Sequence, residues 1–152
     1  MQAVRKKLDP ATGAPTHEPN AAARILLADD DRLILAVLGE GLRKHGYEIR
    51  TAASGEEALR LCEADPPDLA LLDVRMPGFD GVETARALRS RTAVPYLFLS
   101  AYSDTEIVKR AVDEGALGYL VKPLDVSQVI PAIEAAMACA AELSELRDSE
   151  SH

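Results

Sequence analysis

Two kinds of apolar pattern alternate along this chain. Ile25-Leu26-Leu27-Ala28, Leu69-Ala70-Leu71-Leu72, Val94 to Leu99 and Leu117 to Val121 are short, nearly unbroken apolar runs, and Tyr47 to Ala52 alternates apolar with polar. Runs of this length predict strands, and unbroken ones predict strands buried on both faces. Between them, apolar residues recur at helical spacing: Leu33, Ile34, Val37, Leu38 and Leu42; Ala58, Leu59, Leu61 and Cys62; Val82, Ala85 and Leu88; Ile107, Val108, Ala111 and Val112. A last set, Val129, Ile130, Ile133, Met137 and Ala140, predicts a fifth helix capped by Asp125, with Pro131 removing one backbone donor near its second turn. Ser54 to Glu57 and Ser103 to Glu106 have capping-box spacing, while Gly46 and Gly115 close the first and fourth helices.

Strand and helix patterns thus alternate five times. Because parallel strands need helical crossovers, the expected fold class is α/β, a single (βα)5 flavodoxin-like doubly wound domain with a five-stranded parallel sheet. Residues 1–23 carry Pro10, Gly13, Pro15 and Pro19 and no periodicity, and are expected to be a flexible N-terminal tail. The domain is expected over residues 24–141, with 142–152 as the end of the last helix and a tail. In that end, Leu143 and Leu146 among Glu142, Glu145 and Arg147 fit a frayed terminus or a short dimer-forming extension.

Composition narrows the function classes. With 47% apolar and 28% charged residues in 152, the chain is of ordinary globular kind. Aromatics are 4% and Trp is absent, so the core must rest on Leu, Val, Ile and Ala. A formal net charge of −8 opposes a broad electrostatic hold on nucleic acid. Cys62 and Cys139 have no metal or redox spacing and are expected to be ordinary buried or half-buried thiols. No stretch approaches the ~20 apolar residues of a membrane span. The N-terminus has no apolar signal core, so the expected localisation is cytoplasmic.

The polar residues that remain sit at strand ends. Asp29 and Asp30 follow the first strand, Asp73 ends the third, Ser100 ends the fourth and Lys122 follows the fifth. In an open parallel sheet those points share the carboxyl edge, where ligands bind. Carboxylates gathered there raise one another's pKa unless a cation joins them, and they offer the hard oxygens that Mg²⁺ prefers. The alternative for Asp29 and Asp31 is helix capping, which is the expectation for Asp31. Asp73, with an apolar strand behind it, can act as a carboxylate nucleophile toward phosphorus. Ser100 and Lys122 can each hold a phosphoryl oxygen. Lys122-Pro123 admits a cis bond.

Four segments, ILLADDD (25–31), LLDVRMPGFDG (71–81), LFLSA (97–101) and GYLVKP (118–123), resemble the response-regulator receiver domains of two-component signalling. The resemblance spans Arg24 to about Ala141. It implies that Asp73 is the phosphoacceptor, and that Asp30, Asp73 and the backbone carbonyl of Arg75 bind Mg²⁺ (or Mn²⁺), with Asp29 acting through a metal-bound water. It further implies phosphoryl contacts from Ser100 and Lys122, and an aromatic switch at Tyr119, for which fixed packing is the alternative. Arg75 and Tyr102 fall at the positions that set dephosphorylation rate. Both are large, so a long-lived phosphorylated state is expected. The readout surface would be the fourth helix, fifth strand and fifth helix. The implied partner is a sensor histidine kinase or phosphotransfer protein, and the expected chain is a monomer or a phosphorylation-favoured dimer.

GALGYLVKPLDVSQVIPAIEAAM more narrowly resembles receivers that precede ANTAR RNA-binding output domains. No segment of that size follows before His152. The expectation is a signalling domain without direct nucleic-acid binding, its output domain removed or lost, or else a lone receiver. Two rivals stand. One is a phosphorylation-independent interaction module. The other is a haloacid-dehalogenase-type phosphohydrolase, which wants an Asp two residues after the nucleophile, where this chain has Arg75.

Overall fold

The computed structural model describes residues 23–76 and 78–150; the side chains of Tyr102 and residues 144–150 lie outside that description. Five strands, β1 (Arg24–Ala28), β2 (Glu48–Ala52), β3 (Leu69–Asp73), β4 (Tyr96–Ser100) and β5 (Tyr119–Val121), alternate with helices. The helices are α1 (Arg32–Lys44), α2 (Gly55–Ala64), α3 (Gly81–Arg91), α4 (Thr105–Asp113) and α5 (Val126–Glu150), with a 3-10 turn at Tyr102–Asp104 before α4. All neighbouring strands pair in parallel in the order β2-β1-β3-β4-β5. The expected α/β doubly wound architecture is therefore the observed one.

Alternation along each strand divides the core in two. Ile25, Leu27, Leu69, Leu71, Leu97 and Leu99 face α1 and α5, where Leu38, Leu42, Val129, Ile133 and Ala136 bury against them. Leu26, Ala28, Ala70, Leu72, Tyr96 and Phe98 face the other way, against Ala58 and Cys62 of α2, Ala85 and Leu88 of α3, and Val108 and Ala111 of α4. The three central strands are thus covered on both faces, which is why they read as unbroken apolar runs. β5, at the edge, is shorter than its run and only half-buried.

Local signals behave as their chemistry requires, with instructive exceptions. Asp31 caps α1 by accepting from the N–H groups of Leu33 and Ile34. Ser54 caps α2, but Glu57 reaches back to the N–H of Ala53 rather than to that of Ser54. A full capping box forms instead at Asp80 and Glu83, opening α3. The box expected at Ser103 to Glu106 does not form: Asp104 precedes α4 but makes no side-chain cap hydrogen bond. Its carboxylate is engaged by Arg75. Leu33 and Val37 of the α1 apolar pattern remain 70% and 62% exposed, because the sheet takes up the Leu38–Leu42 row of that helix.

Two further expectations change. Cys62 is buried and its thiol is pushed up to about 11 by desolvation, whereas Cys139 is exposed rather than half-buried. Within α5 the window Val126–Leu143 has a mean hydropathy of 1.3 over 18 residues, long and apolar enough to cross a membrane by length and composition. That differs from the expectation of no such stretch. Its Val129, Ile133 and Ala136 are, however, already packed in the domain core. α5 runs without interruption past Ala141. The question of Leu146 and Arg147 as frayed end or dimer extension lies outside the described side chains.

Candidate phosphorylation site

β1 and β3 are adjacent and in register, so the residues that end them stand side by side at the carboxyl edge. Asp29 continues β1 through its N–H bond to Ala52 and is fully buried. Its Oδ1 accepts from the N–H of Asp31 at 2.9 Å, which aims the other oxygen across the sheet edge. Asp73 ends β3 and is 5% exposed, and its Oδ1 accepts from the N–H of Arg75 at 3.3 Å. Asp30 is exposed beside them. Oxygens of Asp29, Asp30 and Asp73 all lie within 4.8 Å of one another.

Lys122 reaches this cluster from the end of β5. Its backbone N–H bonds the Ser100 carbonyl at 2.8 Å, and its peptide bond to Pro123 is cis. Its Nζ lies 2.9 Å from Asp29 Oδ2 and 3.4 Å from Asp73 Oδ2. The contact with Asp29 is an ion pair without aligned hydrogen-bond geometry, since that buried Oδ2 has no hydrogen-bond partner. Burial works against the lysine's charge, but the Asp29 and Asp73 carboxylates outweigh it and raise its pKa. Asp73 is pushed up to about 7, first by burial and then by the Asp29 charge, with Lys122 offsetting only part. One ammonium for three carboxylates leaves the cluster short of positive charge.

That shortage, the hard oxygen donors and a buried Asp29 Oδ2 that accepts no hydrogen bond fit a divalent cation. Asp29, Asp30 and Asp73 are the side chains that could hold it.

The remaining expected residues are less uniformly engaged. Ser100 is buried at the end of β4, the strand beside β3, and its hydroxyl donates to the Ala101 carbonyl at 2.9 Å. Tyr119 pairs with Phe98 and packs, half-buried, against the α2-α3-α4 side of the core. Arg75 is turned to Asp104: Nε lies 2.9 Å from both carboxylate oxygens and Nη2 lies 2.7 Å from Oδ1. The side chain of Tyr102, the other residue expected to tune dephosphorylation, lies outside the described residues.

Asp104 is the partner that sequence reasoning missed. It is 2% exposed, and Arg75 holds its carboxyl below the ordinary range. The two residues are 29 apart in sequence, and the local pattern at Asp104 points to capping instead.

A doubly wound parallel sheet with buried acids and a lysine at its carboxyl edge defines a class, the open α/β domains that bind ligands at strand ends. The particular family follows from comparison. Residues 25–134 match the response regulator receiver domain, and the chain belongs to that family. It is 44% identical over 135 residues to the transcriptional regulatory protein PdtaR of Mycobacterium tuberculosis, covering 87% of this chain and 66% of that protein. It is 41% identical over 113 residues to the transcriptional regulatory protein PrrA of the same organism, covering 74% of this chain and 48% of that one. The chain thus matches about half of one of these relatives and just under two thirds of the other.

Among solved structures, a response regulator receiver domain protein from Methanospirillum hungatei aligns with a TM-score of 0.73 at 28% identity, covering 80% of this chain and 98% of that one. A structure described as adenylate cyclase from Rhodopirellula baltica aligns with a TM-score of 0.78 at 32% identity, covering 86% and 98%. The chain is a receiver domain, a signalling module homologous to transcriptional regulators.

Proposed function

We propose that this receiver accepts a phosphoryl group on Asp73 from a sensor histidine kinase or phosphotransfer protein and passes the change to a transcriptional output. The observation that carries the reading is the setting of Asp73, a buried strand-end carboxylate with a second buried carboxylate and a lysine around it. An Asp73 oxygen forms the new O–P bond as the donor's P–N bond breaks, and the electron pair leaves with the imidazole. With a small acyl phosphate the broken bond is P–O, and the acid departs as its carboxylate.

Asp73 must be ionised to attack, yet its pKa stands near 7 with Lys122 alone beside it. Asp30, Asp73 and the Arg75 carbonyl would hold Mg²⁺ or Mn²⁺, with Asp29 acting through a bound water. When bound, the ion supplies the charge that keeps Asp73 ionised and neutralises phosphoryl oxygens. Lys122 holds a phosphoryl oxygen as a point charge. The Ser100 hydroxyl turns from the Ala101 carbonyl to another, and Tyr119 follows it inward to alter the α4-β5-α5 face. Arg75 and Tyr102 hinder the water that would remove the phosphate. The exposed Leu33, in the first turn of α1 three residues after Asp30, and the exposed Val37 one turn further on favour a donor that is itself a protein surface.

The domain division of 24–141 with a short tail stays part of this reading, as does a cytoplasmic location. Since PdtaR and PrrA are transcriptional regulatory proteins longer than this chain, the output would lie in additional sequence or in a separate protein. Oligomeric state would follow phosphorylation, monomer before and dimer after.

Intact mass after incubation with acetyl phosphate tests the reading. Wild type is expected to gain one phosphoryl group only with Mg²⁺ present, and Asp73→Asn none. Failure to gain it from acetyl phosphate and from phosphorylated histidine kinases alike would turn the reading to a phosphorylation-independent interaction module.

A further inference from the structure

Among the described residues the buried carboxylates are Asp29, Asp73 and Asp104. The first two form the site. Asp104 stands apart, at the end of the 3-10 turn that follows β4, and its carboxylate accepts three hydrogen bonds from the Arg75 guanidinium. Arg75 itself is 74% exposed, so no packing holds the guanidinium where it lies.

Asp104 also has a second use within reach. It occupies the position before α4, where Asp is a favoured cap. Asp31 and Asp80, the corresponding residues of α1 and α3, have extended backbones and accept from their helices. Asp104 has φ −101° and ψ 3° and caps nothing. The pull of Arg75 competes with the helix for this carboxylate, and in this state Arg75 wins.

Arg75 also stands close to the phosphoacceptor. Its backbone N–H donates to Asp73 Oδ1 at 3.3 Å, and the Asp73 carboxylate adds a smaller pull on the guanidinium to the larger one of Asp104. A phosphoryl group on Asp73 would add charge and three acceptor oxygens on that side. The planar fork of Arg suits such oxygens well.

We propose that Arg75 is a phosphoryl ligand held in reserve by Asp104: on phosphorylation its guanidinium moves to a phosphoryl oxygen, and Asp104 turns to cap α4. The inference rests on the reading of Asp73 as phosphoacceptor. The exchange leaves no buried carboxylate without a donor, because the N–H groups opening α4 replace the guanidinium. It also requires the backbone at Asp104 to become extended, which transmits the event at β3 into the turn and helix after β4. Arg75 then does more than obstruct water. It binds the group whose lifetime it sets.

The two roles differ in what Asp104 does to that lifetime. If Asp104 merely fixes Arg75 as a cover, weakening it exposes the phosphate; if Asp104 competes for Arg75, weakening it protects the phosphate. Loss of phosphate after acetyl phosphate is withdrawn, followed by intact mass in Mg²⁺, separates them. Asp104→Asn is expected to hold phosphate about threefold longer than wild type, and Arg75→Ala to lose it about threefold faster, the scale of one exposed charge-assisted contact. The double variant should decay like Arg75→Ala, since Asp104 acts only through Arg75. Decay of Asp104→Asn as fast as wild type or faster, or protection persisting in the double variant, overturns the proposal. Wild type alone gives a second measurement, free of any folding defect: the Arg75 Nε–H resonance and the Thr105 and Glu106 amides should shift on phosphorylation. An adduct that leaves the Nε–H resonance in place refutes the exchange but keeps Asp73 as acceptor. No Asp73-dependent adduct from any donor removes both.

Discussion

Unequal influences set the titration of Asp73: burial first and then the Asp29 carboxylate favour its protonated form, and Lys122 and the Arg75 backbone N–H oppose them. In the unfolded chain this proton leaves near 3.8, in the fold near 7. Between those values the folded state binds more protons than the unfolded, so Asp73 lowers stability progressively as pH rises through that window. Lys122, whose pKa is raised, adds stability that is lost only as pH climbs above its ordinary 10.5, outside the window. Asp73→Asn removes the penalty without removing the side-chain volume. In EDTA the variant is therefore expected to melt above wild type at pH 8, with the gap closing toward pH 4. A gap of the same size at both pH values would show that the gain is packing and not ionisation. The site thus stores an unfavourable charge arrangement in the free domain, as functional sites commonly do.

At the scale of elements, the phosphoacceptor is fixed by how closely α3 approaches the end of β3. A Cβ at Gly81, the first residue of α3, would collide with the Asp73 carbonyl and come 2.7 Å from Val74 Cα. Both are backbone, so neither can swing away. Gly81→Ala is expected to cost about 1–3 kcal/mol by overpacking, and to slow phosphorylation because the clash is relieved by moving Asp73. Gly39 of α1 is the control. A Cβ there meets only side-chain atoms at 3.7 Å and beyond, and Gly39→Ala should be neutral or gain about 0.5–1 kcal/mol from helix propensity. Denaturant melts of the two variants beside acetyl phosphate labelling check this, and equal effects at both glycines would contradict it.

This approach was invisible in the sequence, where Gly81 is one small residue in a loop-like run. What sequence shows well are strand ends, because unbroken apolar runs stop abruptly at Asp29, Asp73, Ser100 and Lys122. Those stops carry most of the site. What it shows poorly are choices between competing partners. Asp31 and Ser54 cap as expected, while the box expected from Ser103 gives way to Asp104 before α4, whose carboxylate is drawn off by an arginine 29 residues away. Nor could the pattern of α1 reveal that Leu33 and Val37 stay exposed, since helical spacing marks an apolar face but not how much of it a sheet will cover.

For the molecule as a whole, the two core layers are built of apolar residues, and the site is the charge gathered at their edge. Among the described residues thirty-one apolar ones are buried across those layers, and none of them belongs to the acidic cluster. Ligand binding to that cluster should then add to stability by simple linkage, RT ln(1 + [L]/Kd). For Mg²⁺ at a hundredfold excess over its Kd the gain is about 2.7 kcal/mol, a shift of several degrees in a domain of this size. Asp30 is the informative residue to alter. It is exposed, belongs to neither core layer, and would serve as a direct ligand. Asp30→Asn is expected to leave the metal-free melt nearly unchanged while removing most of the Mg²⁺-dependent rise. Thermal melts across a Mg²⁺ titration read both quantities in one series. If variant and wild type rise together, the ion binds elsewhere, and Asp73 must owe its ionisation to a different cation. If the variant alone stays flat, the acidic cluster is the metal site, and the frame around it is complete without the ion.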